Sequence, residues 1–382
     1  MLALTVALAA AGLAVILTQS PASRLSSDFT INYSAGVLVR QGHLAAPYDQ
    51  AELGAMMQRV APDGAIDPRL PFSLPLAAAL PYAVLSLLPF EVAFRLFQLL
   101  SAALVLLAVL LLQRAVPSGG GKLAVALAIV GVLAAVPTWG AFTEGQPTSW
   151  LLLGAAMVLL VLRADSLALA AGAGMLLAVK PQYLPVYLTI LFAARRWRSL
   201  GVAAAGGAVV LLSPLAGGVG ALSTMVHNAL SANQAVAIRL NESWIGVIGP
   251  ALPARVATIV AIALYLAVLL ALGLLAWRGP ASTMGFAALA GTLAVLASPH
   301  SLPHDLLILA APAWLAIVLS RQGVLPNPIP ALLALDVALL VDLRGVDVPI
   351  GPIVMTLAVL WYGWQFRQRA ALRRRPPIGQ AA

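Results

Sequence analysis

The chain has 382 residues, a net charge of +9, 62% hydrophobic and only 9% charged residues, and a mean hydropathy of +0.97. Soluble domains carry roughly a quarter charged residues, so a water-soluble globular protein is excluded, and the fold class is all-α and integral to a membrane. No cysteine is present, which rules out disulfides, thiolate metal sites and thiol chemistry.

A hydrocarbon core is crossed by roughly 20 apolar residues in a helix, so the chain has room for about 12 transmembrane helices and little else. The opening run MLALTVALAAAGLAVIL lacks the charged start of a signal peptide and reads as a first span over 2–20. A first extracytoplasmic loop, 21–71, follows. Within it FTINYSAGVLVRQGHL is amphipathic and is expected to lie along the membrane surface with its apolar side down. Residues 71–89 are apolar but carry Pro71, Pro75, Pro81 and Pro89, which predicts a re-entrant or peripheral helix instead of a straight crossing. Further spans are expected near 92–113, 122–139, 148–163, 166–180, 182–194 and 199–218. A second large loop covers 219–251, and the last spans fall near 252–277, 281–297, 304–320, 327–342 and 350–366. Residues 1–366 then form a single transmembrane domain, and 367–382 a basic tail.

Charge fixes the expected orientation. If 71–89 does not cross, Arg114, Lys122, Arg163, Arg195, Arg196, Arg198, Arg278, Arg321 and five tail arginines share one face, 13 of the 22 cations. The positive-inside rule makes that face cytoplasmic. Few cations lie in the short loops of the other face, Lys180 and Arg344 among them. The basic surplus is thereby explained by orientation and lipid phosphate, with no nucleic-acid partner required. The polar motifs SSDFTINYSAG, FTEGQPTSW, KPQY, RLNESW and SPHSLPHD all fall on the opposite, extracytoplasmic face.

Those motifs supply the candidate residues. Asp28, at the edge of the first span, is partly desolvated and suits general-base work. Lys180 opposes the orientation bias, so topology gives no reason for it. A flexible ammonium near a low-dielectric boundary suits a phosphate, and at ~4 Å with an effective dielectric of about 20 the pair is worth roughly 4 kcal/mol before desolvation. His300 and His304 stand at the start of a helix, where donors and the helix dipole favour an anion. Glu144, Gln146, Asn241 and Glu242 offer hydrogen bonds of the kind sugar hydroxyls need, with Tyr183 and Trp244 available for stacking. A divalent metal near His304 and Asp305 is conceivable, but no further ligand is suitably spaced, and no cofactor is indicated.

Taken together, SDFTINYSAGVLVRQGHLAAPYD, an F-x-x-P-L segment at 72–76, GQPTSWLLL, LAVKPQYLPVYL followed by RRWR, and SPHSLPHD resemble glycosyltransferase family 87 over most of the chain, about 1–366. This family comprises GT-C fold membrane enzymes that use polyprenyl-phosphate sugars, bacterial mannosyltransferases of lipid-glycan synthesis among them. The resemblance implies Asp28 as the base, Lys180 as a contact to the lipid phosphate, and His304 as an active-site histidine. The partners it implies are a polyprenyl-phosphate sugar donor and a lipid or glycan acceptor, at the outer face of a bacterial cytoplasmic membrane. Two departures stand out: PFSLP replaces the family's frequent YPP, and His304 is followed by Asp305 where many members have a second histidine. A transporter or flippase of a lipid-linked glycan is the alternative reading. It would need polar groups along a path to both faces, whereas the motifs cluster at one.

Overall fold

Leucine, alanine and valine dominate every long run of the chain. Alanine and leucine form helix readily, and in lipid such apolar runs must be helical so that no backbone polar group is left unpaired. The computed structural model describes residues 2–62, 66–119, 121–235, 240–343 and 348–373, and among these it is helical throughout, with no strand. The end of the expected basic tail, 374–382, and Arg344 lie outside the described residues.

The first helix, α1 (Leu2–Thr18), is followed by α2 (Pro21–Leu25), α3 (Asp28–Arg40), α4 (Gln50–Val60) and α5 (Leu76–Leu85). Then come α6 (Phe90–Ala115), α7 (Gly121–Ala134), α8 (Val136–Thr143), α9 (Thr148–Ala164), α10 (Leu167–Leu177), α11 (Leu184–Ala193) and α12 (Trp197–Leu211). The remainder is α13 (Val219–Ala235), α14 (Trp244–Ile248), α15 (Ala254–Arg278), α16 (Thr283–Leu296), α17 (Ala310–Arg321), α18 (Ile329–Asp342) and α19 (Gly351–Arg373). A 3₁₀ segment, Pro303–Leu309, leads into α17.

A helix stands at each of the twelve expected positions, but fewer are long enough to cross unaided. Four are both long and apolar enough: Phe90–Ala115, Trp197–Gly217, Ala254–Arg278 and Pro303–Arg321. The pair α7 and α8, bent by 59° after Ala134, makes a fifth if it counts as one broken span. Several others, α9, α10, α11 and α16 among them, run 10–17 residues. The segment 71–89 resolves into α5, ten residues with Pro81 inside, far short of a crossing. Leu99 and Leu106 on α6, Ile259 and Leu270 on α15, and Leu357 and Leu360 on α19 are exposed. On a soluble protein these would form aggregation-prone patches; on membrane helices they face lipid tails.

The two ends of the bundle differ in chemistry. At one end the loops are tied by arginines. Arg163 donates to the Arg114 carbonyl at 2.6 Å, Arg196 to the Leu162 carbonyl at 2.8 Å, Arg195 to the Trp277 carbonyl at 2.6 Å, and Arg321 to the Ser118 carbonyl at 2.9 Å. At the other end lie the N-terminus of α9, the C-terminus of α10, the 297–302 loop and the layer formed by α3, α4 and α5.

That layer corrects one expectation. Phe29 through Val39 of α3 are buried on every side, so the helix does not lie on a surface. Phe29 packs against Tyr33, Tyr82, Phe90, Phe94 and Phe97, a second core beside the main one. The amphipathic pattern is real, but α4, α5 and the start of α6 cover the polar side as well. Gly36 makes this possible: a Cβ there would stand 2.5 Å from the Tyr82 carbonyl carbon, so α3 and α5 touch backbone to backbone.

Candidate active site

The site is assembled from chain ends that meet at the arginine-poor end. Asp28 is the first residue of α3, Gln146 lies just before α9, Lys180 follows α10, and His300 and His304 flank the start of the 3₁₀ segment. All five line one cleft of about 140 Å³, together with residues of the 70–74 stretch, Pro181 and Gln182.

Asp28 is held from two sides. Gln146 donates its amide to Oδ2 at 2.5 Å, and Glu144 Oε2 accepts from the Asp28 backbone N–H at 3.4 Å. Burial raises the Asp28 proton affinity above the usual 3.8, the Gln146 bond and the Lys180 charge pull it back, and Asp305 pushes it up again. The Glu144 carboxyl, desolvated and next to the Asp28 charge, is pushed up to about 7. The intervening turn depends on Gly145. Its φ is +64°, and a Cβ there would lie 2.4 Å from that of Phe29. Its carbonyl accepts from the Tyr82 hydroxyl at 3.1 Å, which locks the turn against α5.

Lys180 is not a free cation. Its ammonium forms a buried ion pair with Oδ1 of Asp305. Asp305 also takes the Leu302 backbone N–H at 3.1 Å and the Thr148 hydroxyl at 3.5 Å. The residue replacing the family's second histidine therefore acts as counter-ion to the lysine. It also satisfies one of the amides on which an anion site at this helix start was predicted, and the helix opens with a tighter 3₁₀ turn. An ammonium has three donors, so the pair leaves Lys180 with hydrogen-bonding capacity toward the cleft it lines.

Burial pushes the His300 imidazole down to about 4, so near neutral pH it acts as a hydrogen-bonding group without charge. His304 Nε2 is buried without a hydrogen-bond partner and lies 3.7 Å from Asp305 Oδ1. The 297–302 loop is pinned from behind: Gln182 donates to the His300 carbonyl at 3.1 Å, and the Tyr265 hydroxyl fastens the Gln182 carbonyl at 2.7 Å. Among the described residues no group of three His, Asp or Glu side chains has the arrangement of a metal site.

The remaining expected sugar contacts do not reach the cleft. Tyr183 is wholly enclosed, its hydroxyl 3.3 Å from Ser301, so neither ring face is open for stacking. Asn241 is buried as a clamp behind the histidine loop, donating to the Pro299 carbonyl and accepting the Ser301 N–H, each at 3.1 Å. Glu242 adds its backbone N–H to the Ser301 carbonyl at 2.6 Å, while its side chain points toward Gly351. Trp244 donates to Thr356 at 2.9 Å and lines a separate apolar hollow with Val247 and Ile248. These residues are polar because they tie a loop, a role no local pattern distinguishes from sugar binding. Asp305 is the counter-ion of Lys180, a part that sequence reasoning missed. Its place beside a cleft-lining histidine was visible, but its partner lies 125 residues away.

A family model, glycosyltransferase family 87, matches residues 72–299, more than half of the chain. The chain belongs to this family. Characterised proteins and solved structures offer no match. The family 87 stretch contains Glu144, Gln146 and Lys180, whereas Asp28 lies before it and His300 and His304 just after it. As a family 87 member the protein is a membrane glycosyltransferase, and it acts on a sugar donor and an acceptor.

Proposed function

We propose that the protein transfers a sugar, mannose or another hexose or pentose, from a polyprenyl-phosphate donor to a lipid or glycan acceptor, with inversion and with Asp28 as general base. One observation carries this reading. A carboxylate of raised proton affinity, a lysine and a pair of histidines, from three distant parts of the chain, line the same cleft. Residues 1–366 are taken as one GT-C type transmembrane unit of about 12 passes, with 71–89 staying on one side. The arginine-rich end then faces the cytoplasm of a bacterial inner membrane by the positive-inside rule, and the cleft faces the periplasm or cell exterior. Donor and acceptor are both lipid-anchored or membrane-proximal in this scheme, and no cofactor takes part.

The chemistry balances without nucleotide or metal. The acceptor hydroxyl gives its proton to the Asp28 carboxylate as its oxygen bonds the anomeric carbon. The bond from that carbon to the phosphate oxygen breaks, and polyprenyl phosphate leaves with the electron pair. Lys180, held in place by Asp305, gives a remaining N–H to the departing phosphate, and His300 and His304 add neutral hydrogen bonds. Donors fixed in advance where charge develops cost no reorganisation during the reaction. Gln146 orients the base and is the residue best placed to touch the sugar. The cleft is smaller than the ~300–1,000 Å³ of typical ligand pockets, so it encloses the reacting end of the donor and leaves the polyprenyl chain in lipid.

The test is transfer from labelled polyprenyl-phosphate sugars to a membrane lipid extract, read by mass analysis. Asp28→Asn is expected to lower turnover by about 10²–10⁴ with donor binding retained. Wild-type turnover in Asp28→Asn would remove the base, and labelled lipid crossing the bilayer with no new glycosidic bond would replace transfer by transport.

A further inference from the structure

A large apolar cavity lies at the other end of the molecule from the cleft. About 500 Å³ in volume, it is enclosed by α15, α16, α17, α18 and α19, with Phe286, Leu309, Leu335 and Ala358 in its walls. Among the described residues its only charged lining residue is Arg278, and none of the described carboxylates lines it. Arg278 is exposed, ends α15, and makes no ion pair with any described residue. Trp197, Trp277 and Trp364 stand exposed near the same end. Exposed tryptophans of this kind mark the depth of lipid headgroups, which places the guanidinium in the headgroup layer and the apolar walls among the acyl chains.

We propose that this cavity is a binding site for an anionic phospholipid, with the phosphate on Arg278 and one acyl chain between α16 and α19. A hydrophobic recess that opens at the level of the bilayer fills with hydrocarbon, and the lone guanidinium selects for negative charge at its mouth. Arginine suits the role because its planar fork takes phosphate through two parallel hydrogen bonds. The sugar donor is the wrong occupant, since its phosphate would have to sit at the far end of the bundle. The site belongs to the leaflet opposite the reaction.

The test uses the full chain in nanodiscs of phosphatidylcholine with a minor fraction of phosphatidylglycerol, and native mass spectrometry of the lipid retained on release. The wild type is expected to keep phosphatidylglycerol in preference, and Arg278→Gln to lower that preference about fivefold, the usual effect of one basic residue at an anionic headgroup. Arg278→Lys should keep most of it. Arg198→Gln, at the same end but outside the cavity, should leave it unchanged. Ala358→Trp should lose retained lipid of either headgroup, with Ala331→Leu as the milder plug if that variant fails to fold. Equal retention of the two lipids by the wild type would overturn the proposal. So would an equal drop in Arg198→Gln, or polyprenyl phosphate as the retained molecule.

Discussion

Lys180 and Asp305 set the character of the site more than any other pair, because each makes the other's burial possible. Removing one partner leaves an uncompensated charge, which typically costs about 3–5 kcal/mol, whereas replacing both with apolar groups costs far less. Lys180→Ala and Asp305→Ala should therefore each lower the unfolding temperature in detergent sharply. Lys180→Met with Asp305→Leu should recover most of the loss in stability while remaining inactive. Additive losses in that cycle would show that the two charges do not depend on each other. Glu144 makes a second prediction, in pH. Its carboxyl sits at about 7 against an ordinary 4.5, so between these values the folded chain holds a proton that the unfolded chain has released. Stability from this group is thus complete below about 4.5 and is lost as pH rises through about 7. Glu144→Gln should match the wild type near pH 4.5 and exceed it above about pH 8, by about 1–3 kcal/mol in thermal unfolding.

At the scale of elements, the turn between α8 and α9 decides whether Gln146 reaches Asp28. Gly145 carries a left-handed φ and touches Phe29, whereas Gly42 has φ +85° with open space around it. An alanine at either position brings backbone strain of roughly 1–2 kcal/mol. Only Gly145→Ala also pushes the turn off α3. Both variants should lose some thermal stability, but turnover should fall in Gly145→Ala alone; equal turnover would separate the turn from catalysis. The helices themselves were legible, because an apolar run of the right length admits little besides a helix in lipid. Their edges were less so: α7 breaks after Ala134 and resumes as α8, with Pro137 in the first turn of α8 as the one local sign of the bend. The burial of α3 was also hidden. Its apolar Phe29, Tyr33 and Val37, spaced by four with polar residues between, fit a surface helix as well as a doubly covered one, and only the partner layer from α4 and α5 distinguishes them. Asp28, Gln146, Lys180, His300 and His304, which line the cleft, stood out in the sequence because polar side chains are conspicuous in a chain with 9% charge. Asn241 and Glu242 stood out for the same reason, and the structure places them in a clamp on the 299–301 loop.

For the whole molecule, the division into an arginine-tied end and a cleft-bearing end is the arrangement from which sidedness follows. Helix after helix runs from one end to the other: α9 starts beside Gln146 and ends at Arg163, α12 starts at Trp197 and reaches the α5 layer, where Ser213 accepts the Ala77 N–H at 2.8 Å. The positive-inside rule is then the basis of the proposed orientation, since cations resist translocation and the short loops and tail expected at one end hold 13 of the 22. The absence of native cysteine makes this directly measurable with single introduced thiols. Gln41 and Arg198 are both exposed, at opposite ends of the bundle. In intact cells a membrane-impermeant maleimide should label Gln41→Cys at once and Arg198→Cys only after permeabilisation. The reverse pattern would turn the cleft toward the cytoplasm and require a donor presented from that side. Labelling of both thiols from one side would break the two-ended arrangement itself, and with it the separation of the candidate cleft from the Arg278 cavity.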